Sequence, residues 1–288
     1  MKSHGIIRFV LLCLMPISLY SCIYDDYAGR EQYALTVEYV DSMDNRLPDS
    51  VAFLDRIECF ADGIYKGALT KDEDGKFRYV ANEGENITFV SIAGANPNEY
   101  SINLPSPGES IHNCWLQMNL KAEESAPEPS AVYYGSVQSK LQRTRNENVI
   151  IRMHDVRGRI RIIARNLFSN FGNGNYTTRL DNCLTGIAYD GSSSGETSSY
   201  EMPGTKNSNG DYETISRTIF PTGDLPLRVK IFNQDGTLLF ERDKDDNGNP
   251  IHIHSGENNV IMIKFNNSSD AIIKVVPYED IENSTIFP

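Results

Sequence analysis

Alternation of apolar and polar residues with a period of two recurs along most of the chain and restricts its fold more than any other feature. In the first half it runs through Leu35-Thr36-Val37-Glu38-Tyr39-Val40, Phe77-Arg78-Tyr79-Val80, Ile87-Thr88-Phe89-Val90-Ser91-Ile92 and Trp115-Leu116-Gln117-Met118-Asn119-Leu120. In the second half Gly158-Arg159-Ile160-Arg161-Ile162 sets arginines on one side and isoleucines on the other. Leu225-Pro226-Leu227-Arg228-Val229-Lys230-Ile231 and Val260-Ile261-Met262-Ile263-Lys264-Phe265 continue the β pattern. A period of two sends successive side chains to opposite faces of a strand, so each segment predicts a strand with one face in a core. Asp62-Gly63, Asp74-Gly75 and Pro97-Asn98 punctuate the runs, and Gln234-Asp235-Gly236-Thr237 leads into Leu238-Leu239-Phe240 as a hairpin. Short strands at this spacing predict an all-β protein built of β-sandwiches.

Lys121 to Ser130 interrupts the pattern with two prolines, three acids and no large apolar residue. Such a stretch cannot supply a core strand and reads as a boundary or a long exposed crossing. We therefore expect two β-sandwich domains, at residues 33–130 and 131–288. Asn170 to Asn175 and Gly191 to Ser199 read as polar loops.

The N-terminus has a different logic. Lys2 and Arg8 make the first residues cationic, and Phe9 to Tyr20 form an apolar run too short to span a bilayer. Leu19-Tyr20-Ser21-Cys22 follows, the arrangement that lipoprotein signal peptidase cuts, with a bulky Tyr20 where a small residue is usual. Residues 1–21 are expected to be removed between Ser21 and Cys22, and Cys22 to carry the lipid, palmitate-like acyl chains included. Residues 22–32 then form a lipidated linker. At about 0.8 kcal/mol per buried methylene, several chains make attachment to outer-membrane lipid effectively permanent. The remaining chain has 25 Lys+Arg against 39 Asp+Glu, a net charge of −14. That acidity excludes nucleic acid as a partner.

The residues that could carry chemistry do not assemble into a catalytic set, and an enzyme is not expected. With Cys13 in the expected signal, the three cysteines of the mature chain besides Cys22 (Cys59, Cys114 and Cys183) read as buried thiols, with a Cys59–Cys114 bridge as the alternative. Asp243, Asp245 and Asn247, with Gly248 sixth, match the opening of a calcium loop. The twelfth place is His254 rather than glutamate, so a solvated acidic turn is the first reading and calcium the alternative. His252 and His254, two apart on an expected strand, could share a metal with Asp243 or Asp245, but surface imidazoles are the simpler reading. Gly191-Ser192-Ser193-Ser194-Gly195 has the spacing of a nucleophile elbow without the strand and helix one needs. Asp41-Ser42-Met43 and Asp49-Ser50-Val51 resemble the O-glycosylation sequon of Bacteroides, which marks Ser42 and Ser50.

Taken in order, these segments resemble a family. After the lipobox come Cys22-Ile23-Tyr24-Asp25-Asp26, whose acids resemble a surface-export signal, and a Tyr- and Val-rich first strand. Ala131-Val132-Tyr133-Tyr134-Gly135, Val149-Ile150-Ile151-Arg152-Met153, Gly158 to Ile162 and Gly256-Glu257-Asn258-Asn259-Val260-Ile261-Met262-Ile263 follow. The order and length are similar to those of the FimB-like fimbrial anchor lipoproteins of Bacteroidales type V pili. The resemblance implies two transthyretin-like, Greek-key β-sandwich domains, a lipid on Cys22 and a place at the fimbrial base, with fimbrial pilin subunits as partners. It also implies assembly by β-strand addition, in which an open sheet edge takes a neighbour's strand. The tail Ala271-Ile272-Ile273-Lys274-Val275-Val276-Pro277-Tyr278 is then either the chain's own last strand or an exchanged one. A tip or accessory subunit, or a surface glycan-binding lipoprotein using Trp115 and the tyrosines, are the alternatives to an anchor.

Overall fold

The computed structural model describes residues 31–49, 56–81, 85–104, 106–120, 125–140 and 147–280. Its first half contains β1 (Glu31–Val40), β2 (Arg56–Ala61), β3 (Ile64–Thr70), β4 (Phe77–Ala81), β5 (Asn86–Ala93), β6 (Tyr100–Asn103), β7 (Trp115–Met118), β8 (Tyr133–Lys140) and β9 (Glu147–Asp155). The second half begins with β10 (Gly158–Arg165), a five-residue helix α1 (Leu167–Phe171), β11 (Tyr176–Cys183), β12 (Gly186–Ala188) and β13 (Ser193–Ser194). It continues through β14 (Ser198–Lys206), β15 (Tyr212–Thr214), β16 (Arg217–Ile219), β17 (Arg228–Asn233) and β18 (Leu238–Arg242), and closes with β19 (Asn258–Asn267) and β20 (Asp270–Pro277). The protein is all-β, as the alternation predicts.

The first sheet runs β3-β2-β5-β8-β9-β1-β4. Tyr33, Leu35, Ile57, Cys59, Ile87, Phe89, Ile151 and Met153 fill its inner face. β2 does not alternate in burial, because Phe60 on its other face is also covered, by Tyr65, Ile111, Cys114 and Tyr189. On that covered face Glu58 is 4% exposed. Its carboxylate accepts from Tyr65 Oη at 2.8 Å and Arg56 Nε at 2.6 Å, which is what makes a buried charge tolerable.

Sheet membership changes between Asp155 and Gly158, not at the expected boundary of 130 and 131. β8 pairs with β5 over eight positions, from Asn86↔Lys140 to Ala93↔Tyr133, and β9 lies parallel to β1 from Tyr33↔Glu147 to Val40↔His154. Alternation identifies a strand but carries no information about which sheet receives it, so the proline-rich interruption was a misleading divider. The second sheet runs β18-β17-β11-β14-β15-β10-β19-β20, with β16 also on β10. It repeats one device of the first, because β10, its first strand, lies parallel to the late strand β19. Ile160, Ile162, Leu180, Tyr200, Val229, Ile261 and Ile263 are in its core.

A third sheet, β13-β12-β7-β6, joins the halves, since β12 from the second pairs with β7 from the first. The Ser/Gly stretch read as a loop supplies β13 of this sheet, so it is structured by pairing rather than by apolar side chains. The Asn170–Asn175 stretch likewise overlaps the end of α1, which stops at Gly172 with φ +88. The strand expected from Leu225 begins only at Arg228, after Pro226, because proline has no N–H for the ladder. His252 and His254 lie outside any strand.

Residues 125–132 also depart from expectation. Instead of an exposed crossing they form a strap with Ala126, Pro129 and Val132 buried, every third residue, the period of a polyproline II segment. Ala126 N donates to Ser199 O at 2.8 Å, and Val156 N donates to Val132 O at 3.0 Å. Arg217 Nη2 donates to Ala126 O at 3.1 Å, Arg157 Nη1 to Pro129 O at 2.7 Å and Tyr100 Oη to Ser130 O at 2.9 Å. The strap needs no large apolar side chain because its backbone carbonyls are its anchors.

Candidate functional site

Among the described residues, the terminal strand is the longest strand at an end of either large sheet and is rich in apolar side chains. β20 pairs antiparallel with β19 from Asn259↔Pro277 to Asn267↔Asp270, so the tail is the chain's own last strand here. Ile273 is buried in the core, with Ala271 and Val275 packed against it. Ile272 and Val276 pack against Ile163, Val260 and Met262 on the opposite face. Asp246 N donates to Ile273 O at 3.1 Å. Asp246 is not in β19, so the Ile273 carbonyl points away from that strand. In an antiparallel ladder the N–H and C=O of one residue share a side and neighbours alternate. Ala271, Ile273 and Val275 therefore direct their backbone groups outward, while Ile272, Lys274 and Val276 bond β19.

The turn that touches this edge is the stretch resembling a calcium loop. Asp245 accepts from the amides of Asn247 at 2.9 Å and Asn249 at 2.8 Å. The same acceptance of the amides two and four residues on recurs at Asp41, Asp72, Asn207 and Asn233. Gly75, Gly210, Gly236 and Gly248 occupy the fourth place of four of these turns, at φ between +73 and +84. This is the three-residue hairpin, a type I turn followed by a left-handed glycine, with an Asx acceptor at its start. Neutral asparagine does the job at two of the five, so the aspartate serves as a hydrogen-bond acceptor rather than for its charge. The Asn45 side chain and amide hold the Asp41 carboxyl below the usual range, and the Lys76 amide does the same for Asp72.

Asp245→Asn is accordingly expected to melt with the parent, whereas Asp245→Ala loses the acceptor and should melt lower. Thermal melts with calcium and with chelator should superimpose for parent and Asp245→Asn alike; a calcium-dependent rise in the parent alone would show a metal site.

The other sequence candidates are scattered. Asp243, Asp245 and Asn247 share the turn, but among the described residues no three His, Cys, Asp or Glu side chains converge as metal ligands. His252 Nδ1 lies 3.1 Å from Thr222 Oγ1, and its ring stacks on that of His254 at 6.2 Å. Cys59, Cys114 and Cys183 are free and buried. Cys59 and Cys114 serve cores on opposite faces of the first sheet, which rules out the bridge, and burial pushes their thiols up to about 12 and about 11. Ser42 is exposed at a turn, and Ser21, Cys22 and Ser50 lie outside the described residues. Sequence reasoning passed over Arg157 and Arg217, which hold the strap, and Asp246, which caps β20. Only the odd placement of prolines beside the strap's small residues hinted at the first pair.

Two large sheets are joined by a third, and an apolar terminal strand forms one edge of the second. The chain matches the Fimbrillin-A associated anchor proteins Mfa1 and Mfa2 over residues 63–283 and belongs to that family. Among solved structures it resembles the fimbrial anchor protein Mfa2 from Porphyromonas gingivalis, at 12% identity and TM-score 0.60, covering 86% of this chain and 98% of that one. It also resembles a candidate polysaccharide-binding protein from Bacteroides thetaiotaomicron, at 11% identity and TM-score 0.61, covering 86% and 99%. A candidate adhesin from the same species follows, at 11% identity and TM-score 0.55, covering 86% and 96%. At these identities the likeness is one of fold. No curated protein matches the chain.

Proposed function

We propose that this chain is the anchoring subunit of a fimbrium, an outer-membrane lipoprotein tethered through Cys22 that joins pilin by β-strand addition. The observation that carries this reading is the placement of β1. It starts nine residues after Cys22, a linker that can extend no more than about 30 Å. β1 is not an edge strand, for it lies between β9 and β4. A pull transmitted from a lipid on Cys22 enters the first sheet through a strand bonded on both sides. The joining sheet and strap then carry it to the second. Family membership supplies the context of a fimbrial surface structure. Exposed Ser42 would be open to O-glycosylation in that location.

Cys22→Ala tests the tether. Metabolic labelling with a palmitate analogue should mark the parent and not the variant, and the variant should shed from membranes together with its fimbriae. A labelled variant would remove the lipid from Cys22. Unchanged fimbriae after deletion of the whole chain would remove the anchor role.

A further inference from the structure

We infer that a cavity between the two halves of the chain binds a carboxylated sugar, with Arg159 as the group that selects the acid. The cavity has a volume of about 580 Å³, room for a mono- or disaccharide. It lies between the turn that follows β1, the crossing from β9 to β10 and the turn that leads into β19. Its rim closes where Gly256, at φ +74, meets the first half, since a carbon added there would stand 3.4 Å from Ser42 Cβ. Trp115 does not line it.

Strand register builds the floor. Arg159 of β10 stands opposite Thr218 of β16 and beside Asn258 of β19, and residues paired across strands project to the same face. All three line the cavity. A guanidinium holds a carboxylate through two parallel N–H···O bonds, and the flanking hydroxyl and amide suit the hydroxyls of a sugar ring. Tyr133 and Leu47 add apolar wall for the C–H face of such a ring.

The charges around the cavity single out Arg159. Arg157 is already engaged, for its Nε and Nη2 donate to Asp155 at 2.9 and 2.7 Å and its Nη1 to Pro129 O at 2.7 Å. Asp41 accepts from the amides of Met43 and Asn45, and Glu257 Oε2 from His254 N and Asn259 Nδ2 at 3.0 and 2.9 Å. His154 Nε2 faces Asp44 at 3.8 Å. The Arg159 guanidinium is exposed and has no ion pair or hydrogen bond among the described residues. In a chain with 39 Asp+Glu against 27 Lys+Arg, an arginine left without an acid is available to a ligand's carboxylate. A cavity walled by loops from both halves suits a compact ring better than an extended acidic peptide.

Calorimetric titration of the detergent-extracted full chain with methyl β-D-glucuronide and methyl β-D-glucoside, which differ only at the carboxylate, tests the site. The glucuronide should bind about tenfold more tightly than the glucoside, or better. Arg159→Gln should bring the glucuronide down to the level of the glucoside. Arg159→Lys keeps the charge without the fork and should recover only part of the preference. The side chain is exposed, so both variants should melt with the parent. Equal affinity for the two sugars, no heat from either at about 10 mM, or an unchanged glucuronide affinity in Arg159→Gln each overturns the site. A glutamate-rich peptide that binds more tightly than the glucuronide, and is lost in Arg159→Gln, overturns the sugar and gives the cavity to an acidic protein segment.

Discussion

Cutting the chain between residues 130 and 131 is expected to leave neither half folded. β8 and β9 are the middle of the first sheet, so a fragment of residues 33–130 loses the strands that link β5 to β1. Tyr133, Val149, Ile151 and Met153 leave the core with them. At about 1.5–3 kcal/mol for each buried side chain, the loss comes to roughly 6–12 kcal/mol, against a total stability of about 5–15 kcal/mol for a typical domain. The fragment 131–288 keeps two strands without their sheet and loses Ala126 from its own core. Expressed separately, each half should lack a near-UV circular dichroism signal and a cooperative melt; expressed together, they should recover both. A sharp melt for 33–130 alone would show that the sheet pairing described here is not required.

What alternation could and could not convey follows from where each strand sits. β1 and the start of β10 are legible because one face is buried more deeply than the other, and such a face writes a period of two; β19 is legible as a continuous apolar run, since Val260, Ile261, Met262 and Ile263 are all buried. β2 is not, because Glu58 and Phe60 are as buried as Ile57 and Cys59. β13, in a stretch of Gly and Ser, is held by backbone pairing with β12, and the three residues of β12 by pairing with the distant β7; long-range pairing leaves no local trace. The strap is the extreme case. Its anchors are carbonyl oxygens, which every sequence possesses, and the residues that recognise them, Arg157 and Arg217, are distant in the chain.

The same limit applied to the candidate site. Asp243 to Gly248 has the oxygen-rich spacing of a cation loop and also the spacing of an Asx-started hairpin, and the two coincide because both need a tight turn closed by glycine. The discriminating signal was present elsewhere in the chain. Asn207-Ser208-Asn209-Gly210 and Asn233-Gln234-Asp235-Gly236 repeat the pattern with a neutral first residue, which a cation loop would not tolerate well. The apolar tail was legible as a strand, but the cap on its outer side depends on Asp246 reaching Ile273, a contact between residues 27 positions apart.

Gly186→Ala is expected to open the junction between the halves. Gly186 stands opposite Gln117 in the β7–β12 pair. A methyl group there would run into the carbonyl oxygen of Leu116 and come within 2.9 Å of Gln117 Cα. Both are backbone atoms that cannot swing aside, so the strands must separate. Separation endangers the pairs Ile187↔Leu116 and Ala188↔Trp115, together with Met118 N to Thr185 O and Tyr189 N to Cys114 O, each 2.9 Å. Leu116, Ile187 and Phe220 share one buried cluster across the junction, so packing is lost with the hydrogen bonds. Overpacking of this kind costs about 3 kcal/mol, a fall of roughly 5–10 °C in Tm. Gly174→Ala is the control, since its added carbon meets only Gln234 Oε1 at 4.0 Å, and its melt should match the parent's. If the two variants melt together, the third sheet does not bear the connection between the halves, which then rests on the strap and the Asp155–Gly158 crossing alone.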